Sequence, residues 1–137
     1  MTQPPRPRVL VVDDDPTFCE TMKMALEERG FLVDCAANGQ EALDRLRGPL
    51  PFPALVLLDV MMPGMDGLQF LVERKREPAL ASIPVVMLSA ANRGLPWAIA
   101  LGAADYLQKP LEFEEVAATI RCHIGSMLAP ENRTMAV

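Results

Sequence analysis

Leu55-Val56-Leu57-Leu58-Asp59-Val60-Met61-Met62-Pro63-Gly64-Met65-Asp66-Gly67 decides the fold. Four apolar residues run into a carboxylate, and a turn-forming segment rich in Pro and Gly follows. A short continuous apolar run of this kind suits a strand buried on both faces, as in a parallel sheet. Open α/β sheets place their ligand sites beyond the carboxyl ends of the strands. Asp59 therefore stands where chemistry is expected.

The same pattern recurs on either side. Arg8-Val9-Leu10-Val11-Val12 reads as a first strand ending in Asp13-Asp14-Asp15-Pro16. Asp15 is a candidate cap for a helix with Pro16 at its first position. Phe18, Met22, Ala25 and Leu26 give that helix one apolar stripe, and Gly30 stops it. Phe31 to Ala36 is a second strand. Asn38 and Glu41 form a capping pattern for a second helix that buries Ala42, Leu43 and Leu46. Prolines 49, 51 and 53 make a stiff connector before the opening strand. A third helix is expected from about Gly67 to Arg76, burying Leu68, Leu71 and Val72. Pro84 to Ser89 is a fourth strand. Gly94 and Pro96 shorten the next helix to about Pro96 to Leu101. Tyr106-Leu107-Gln108 is a fifth strand, ending at Lys109-Pro110. A last helix from about Glu112 to Met127 points Phe113, Val116, Ala117, Ile120 and Ile124 inward. Strands alternating with helices imply an α/β domain, a doubly wound parallel sheet with right-handed crossovers and helices on both faces.

Length and composition narrow the function. At 137 residues the chain is expected to be one domain, with a proline-rich lead at residues 1–7, a body at 8–128 and a loose tail at 129–137. Half the residues are apolar and 23% are charged, which suits a packed core. A net charge of −5 argues against direct nucleic-acid binding. Cys19, Cys35 and Cys122 match no zinc pattern and read as reduced thiols. No run approaches the roughly 20 apolar residues of a membrane span, so a cytoplasmic, membrane-free protein is expected.

Applied to every strand, the carboxyl-end rule collects Asp13, Asp14, Asp59, Ser89 and Lys109 in one crevice. Three clustered carboxylates repel one another unless a cation is present. A hard divalent ion such as Mg²⁺ binds oxygen ligands and leaves room for a phosphate oxygen. An ionised Asp is a competent nucleophile for an aspartyl phosphate, and Lys109 and the Ser89 hydroxyl can meet its remaining oxygens. Phosphorylation of Asp59 is the expected chemistry.

These segments resemble the receiver domain of two-component response regulators. The resemblance is carried by residues 9–16, 57–67, 84–90 and 102–110 and covers nearly the whole chain. It implies a flavodoxin-like (βα)5 fold and a phosphorelay role. Asp59 would accept a phosphoryl group from a histidine kinase or histidine phosphotransfer protein. Asp13 and Asp14 would hold Mg²⁺, or Mn²⁺ in its place, with Asp59 and the Met61 backbone carbonyl completing the protein ligands. Lys109 would pair with the phosphoryl group and precede a cis Pro110. Ser89 would move toward the phosphate and Tyr106 would change rotamer, altering contacts with a downstream protein target not yet known. Met61 and Ala91 flank the path of the hydrolytic water in this family. Neither side chain hydrogen-bonds water, so a long-lived phosphorylated state is expected.

Two departures bear on output. The segment between Ser89 and Gly102 is shorter than in familiar members. Thr119 stands where dimerising DNA-binding relatives carry Arg, which leaves Asp105 without its expected partner. His123 has no partner nearby in sequence and reads as a solvated or satisfied helical residue. With Met1 at the start and a short tail, a single-domain regulator is expected, the alternative being a receiver cut from a larger DNA-binding or multidomain regulator. A phosphorylation-independent interaction module and an aspartyl-phosphate phosphatase are the alternatives of other classes. The phosphatase lacks its second Asp, because Met61 occupies that position.

Overall fold

The computed structural model describes residues 6–49, 52–60, 67–89 and 95–128. Five strands, β1 (Arg8–Val12), β2 (Leu32–Ala36), β3 (Leu55–Asp59), β4 (Val85–Ser89) and β5 (Asp105–Gln108), form one sheet in the order β2-β1-β3-β4-β5. Every neighbouring pair is parallel. The helices are α1 (Pro16–Glu27), α2 (Gly39–Arg47), α3 (Gly67–Lys75), α4 (Pro78–Ala81), α5 (Leu95–Ala100) and α6 (Phe113–Leu128).

Alternation along the strands builds two cores. Val9, Val11, Leu55, Leu57, Val86 and Leu88 meet α1 and α6 on one face. Leu10, Val12, Val56, Leu58, Val85 and Met87 meet α2, α3, α4 and α5 on the other. Fully burying one such side chain contributes about 1.5–3 kcal/mol, and both faces of β3 do so from Leu55 to Leu58. A register slip of one residue would only exchange apolar side chains between two cores. The polar residues that end or follow β1, β3 and β4 (Asp13, Asp59 and Ser89) would be carried toward those cores by such a slip, which opposes it.

Helix ends follow their local chemistry. The Asp15 side chain accepts from the Thr17 N–H at 3.0 Å, ahead of Pro16. Asn38 Oδ1 accepts from the Glu41 N–H at 2.8 Å. Gly30 and Gly102 adopt φ of +97° and +107°, the left-handed region that favours glycine.

The structure corrects the reading in three places. The segment after α3 forms an unexpected turn of helix, α4, with Pro78 in its first turn. The buried stripe of α3 is Gly67, Phe70, Leu71 and Arg74. Leu68 is only partly buried against that core, and Val72 is half-buried, so Phe70 takes the place expected of them. In α1 the inward stripe is Cys19, Met22, Ala25 and Leu26, which turns Phe18 toward the helix's edge.

Arg74 is the least expected core residue. Its Nε donates to the Ile83 carbonyl at 3.0 Å, and its Nη2 to the carbonyls of Ala81 (2.8 Å) and Ile83 (2.7 Å). Burial pushes the guanidinium below its ordinary pKa, and the carbonyl bonds satisfy its donors in place of water. The residue ties α3 to the end of α4 and the start of β4.

Candidate functional site

The sheet order places β1 between β2 and β3, so the ends of β1 and β3 lie side by side. The register Val12↔Leu58 puts Asp13 and Asp59 at the same level, one residue further on. Carboxylate oxygens of Asp13, Asp14 and Asp59 all lie within 4.8 Å of one another. Asp13 is 3% exposed, whereas Asp14 opens to solvent.

The loop between β1 and α1 fixes Asp13. Its Oδ1 accepts from the Asp15 N–H at 2.9 Å, and its Oδ2 accepts from Lys109 Nζ at 3.3 Å. Lys109 Nζ also lies 3.9 Å from Asp59 Oδ1. Lys109 follows the last residue of β5, where its N–H donates to the Ser89 carbonyl at 2.7 Å. That bond couples β4 and β5 where both strands end. The Lys109–Pro110 peptide bond is cis. Ser89 is buried at the end of β4.

One ammonium facing three carboxylates leaves the cluster negative. All the donors are hard oxygens, which suits a divalent cation of the Mg²⁺ or Mn²⁺ type rather than a thiophilic metal. The cluster therefore fits the metal expected from the sequence. Met61 and Ala91 lie outside the described residues.

Gly67 packs against the tip of β3. Its N–H donates to the Val60 carbonyl at 3.0 Å. A Cβ at this position would stand 2.7 Å from the Asp59 carbonyl oxygen and 3.0 Å from both Val60 Cα and Met87 Cε. Only a glycine lets the start of α3 approach the tip of β3 this closely.

Tyr106 lies apart from the acids. It is 43% exposed on the edge strand β5. Beside it, Asp105 Oδ2 meets His123 Nε2 at 3.0 Å. Asp105 thus has a partner after all, one turn of helix beyond Thr119. His123 is satisfied through an acid 18 residues away, a contact that sequence proximity could not reveal.

Sequence reasoning missed three contacts at the acidic end. The Cys19 thiol donates to the Asp13 carbonyl at 3.6 Å. Burial, and next the neighbouring Cys35, push the Cys19 thiol up to about 12. The Asp15 N–H, on the residue expected to cap α1, donates to Asp13 Oδ1. The Phe18 ring lies under the Lys109 ammonium, at 4.5 Å from its centroid. The signal for that ring was its position, three to five residues after Asp13, Asp14 and Asp15.

Comparisons with known proteins agree with this fold. The family model of the response regulator receiver domain matches residues 9–121. Response regulator Rre1 of Synechocystis sp. is 41% identical over 118 residues, covering 82% of this chain and 49% of that protein. The phosphate regulon transcriptional regulatory protein PhoB of Escherichia coli is 39% identical over 120 residues, covering 83% of this chain and 50% of that protein. The chain spans about half the length of the curated relatives it matches. Among solved structures, a putative response regulator from Chloroflexus aurantiacus superposes with a TM-score of 0.81 at 31% identity, covering 88% of this chain and 99% of that one. Vibrio cholerae chemotaxis protein CheY4 gives 0.78 at 28% identity, covering 86% and 98%. With five parallel strands, an acidic crevice at their carboxyl ends and a family match over most of its length, this chain belongs to the response regulator receiver domain family.

Proposed function

We propose that Asp59 accepts a phosphoryl group from a histidine kinase or histidine phosphotransfer protein, and that the phosphorylated chain changes its contacts with a downstream protein. One observation carries this reading. Three strand-end carboxylates have oxygens within 4.8 Å of one another, and the ammonium of Lys109 stands 3.3 Å from one of them and 3.9 Å from another.

The residues divide the work. Asp13, Asp14 and Asp59, with the Met61 backbone carbonyl, would hold Mg²⁺ or Mn²⁺, which when bound neutralises charge on the transferring phosphoryl oxygens. An Asp59 carboxylate oxygen forms a bond to phosphorus as the nitrogen–phosphorus bond of the donor breaks. The electron pair leaves with the donor imidazole, which takes a proton from solvent. Lys109 meets one equatorial oxygen and the Ser89 hydroxyl another. Asp13, anchored by the Asp15 N–H, holds the ammonium in place meanwhile.

Signalling, rather than turnover of an external substrate, is the work of a receiver domain. Among the described residues, no helix is long and apolar enough to cross a membrane. The reading places the chain in the cytoplasm, with Tyr106 as the switch residue facing the downstream protein. Partners are proteins rather than nucleic acid. A second reading makes the chain the receiver unit of a longer regulator, since it spans about half the length of Rre1 and PhoB but nearly all of CheY4.

Incubation with a small acyl phosphate and Mg²⁺, followed by intact-mass analysis, tests the assignment. The wild type is expected to gain one phosphoryl group, and Asp59→Asn none. Equal gain in both chains would move the acceptor elsewhere. No gain in either would favour a phosphorylation-independent interaction module.

A further inference from the structure

Lys109 has a contact that neither acid supplies. Its ammonium stands over the face of Phe18, 4.5 Å from the ring centroid. We propose that Phe18 is a positioning residue, whose ring face holds the Lys109 ammonium at the Asp13–Asp14–Asp59 cluster, ready for a phosphoryl oxygen. This rests on the reading of Asp59 as the acceptor.

A lysine is a poor fixed charge by itself. Its ammonium is strongly hydrated and rides on a flexible four-carbon stem, and the Lys109 side chain is 27% exposed. The carboxylates hold it only while their oxygens are available. A divalent cation seated among those oxygens competes with the ammonium for them and repels it. The ring has no lone pair for the metal to claim, so its attraction for the ammonium persists. It also takes no N–H of the ammonium in a directed bond to oxygen, which leaves those donors for the incoming phosphoryl group.

The ring is well placed to do this. Phe18 lies in the first turn of α1, whose start is pinned by Pro16, by the Asp15 cap on Thr17, and by the Asp15 N–H on Asp13. The next residue, Cys19, is buried, and Phe18 itself packs against the core on the α1 and α6 face. The helix start that orients Asp13 therefore also aims the ring. Its half-buried setting raises the strength of a cation–π contact above that of a fully solvated pair.

Fluorination of the ring separates this role from apolar packing, because fluorine drains the face of electron density with little change in size. Phosphorylation of the full chain by a small acyl phosphate with Mg²⁺ would be timed for the wild type, Phe18→Leu, Phe18→Tyr and chains carrying one, two or three fluorines on the Phe18 ring. Phe18→Leu is expected to react about fivefold more slowly. The rate should fall stepwise with each fluorine, and Phe18→Tyr should keep most of it. In the metal-free protein the Lys109 ε-methylene protons should show a ring-current shift that Phe18→Leu abolishes. Should Phe18→Leu fail to fold, the fluorinated chains, matched for melting temperature, carry the test. Equal rates across the fluorine series, or no ring-current shift in the wild type, overturn the proposal. Failure of the acceptor assignment reads out differently. Asp59→Asn would then gain the group as the wild type does, and the proposal falls with it. A flat fluorine series beside an inert Asp59→Asn overturns the role of the ring alone.

Discussion

The end of the sheet and its β5 edge use charge in opposite ways. At the end, Asp13, Asp59 and Lys109 have side chains 3%, 14% and 27% exposed, and backbone donors and ring faces hold them. At the edge, Asp105 and His123 form a pair with side chains 43% and 24% exposed, beside a solvent-facing Tyr106. Partial burial strengthens each interaction and raises the cost of misplacing a group. Exposure makes a pair cheap to break. A domain that takes up charge at one place and reports it at another needs both. Under the proposed function, the acidic end is fixed before the charge arrives, and the edge around Tyr106 rearranges afterwards for a modest free energy.

The largest expected effect would break the rigid half of the comparison. Gly67→Ala forces a methyl to 2.7 Å from the Asp59 carbonyl oxygen and 3.0 Å from Val60 Cα, and backbone atoms cannot swing aside as a side chain can. Overpacking of this kind costs about 1–3 kcal/mol, measurable by urea denaturation. The relief available is a shift of the β3 tip, so phosphoryl uptake at Asp59 should slow as well. If Gly67→Ala unfolds at the wild-type urea concentration, the β3 tip is softer than its contacts imply.

Much of this contrast was legible in the residues. The apolar runs at 9–12, 55–58 and 85–88 could be buried only between two helical layers, and a parallel sheet puts the polar residue after each run at one end. Asp13, Asp14, Asp59 and Lys109 followed from that rule because backbone geometry alone decides it. The hidden contacts depend on rotation about a helix axis or on packing between distant segments. Arg74 sits seven residues after Gly67 on a stripe that apolar counting assigns to Leu68 and Val72. Its carbonyl partners lie on a helical turn that the sequence did not announce and in the segment leading into β4. Phe18 falls on the edge of its stripe, and a small rotation separates core filler from a ring under an ammonium. The Asp105–His123 pair joins β5 to α6 across 18 residues, with nothing local to mark it.

A pH experiment sharpens the rigid half. Burial raises the Cys19 thiol from its ordinary pKa of 9.0 to about 12, and the thiol donates to the Asp13 carbonyl. In the unfolded chain the thiol ionises near its ordinary value. Above that value the folded state therefore holds a proton that the unfolded state has released. Stability is fully present below pH 9 and declines as pH rises toward 12. The slope from this one group is about 1.4 kcal/mol per pH unit. Between pH 9 and 10.5 the melting temperature of the wild type should fall more steeply than that of Cys19→Ala, which lacks the group. Parallel curves would mean that water reaches the thiol beneath Asp13.

The smallest effect is expected at the edge. Removing one member of a partly exposed surface pair costs about 1 kcal/mol or less, so His123→Ala and Asp105→Asn should each unfold close to the wild type. Neither residue touches the acidic cluster, so both variants should take up the phosphoryl group at the wild-type rate. In a double-mutant cycle the coupling between the two should be a few tenths of a kcal/mol. A coupling above about 2 kcal/mol would place this pair in the energy range of buried charges. The edge would then be as stiff as the acidic end. Contact changes at Tyr106 would have to overcome that pair, and the phosphorylated state would need to release it before a partner could bind.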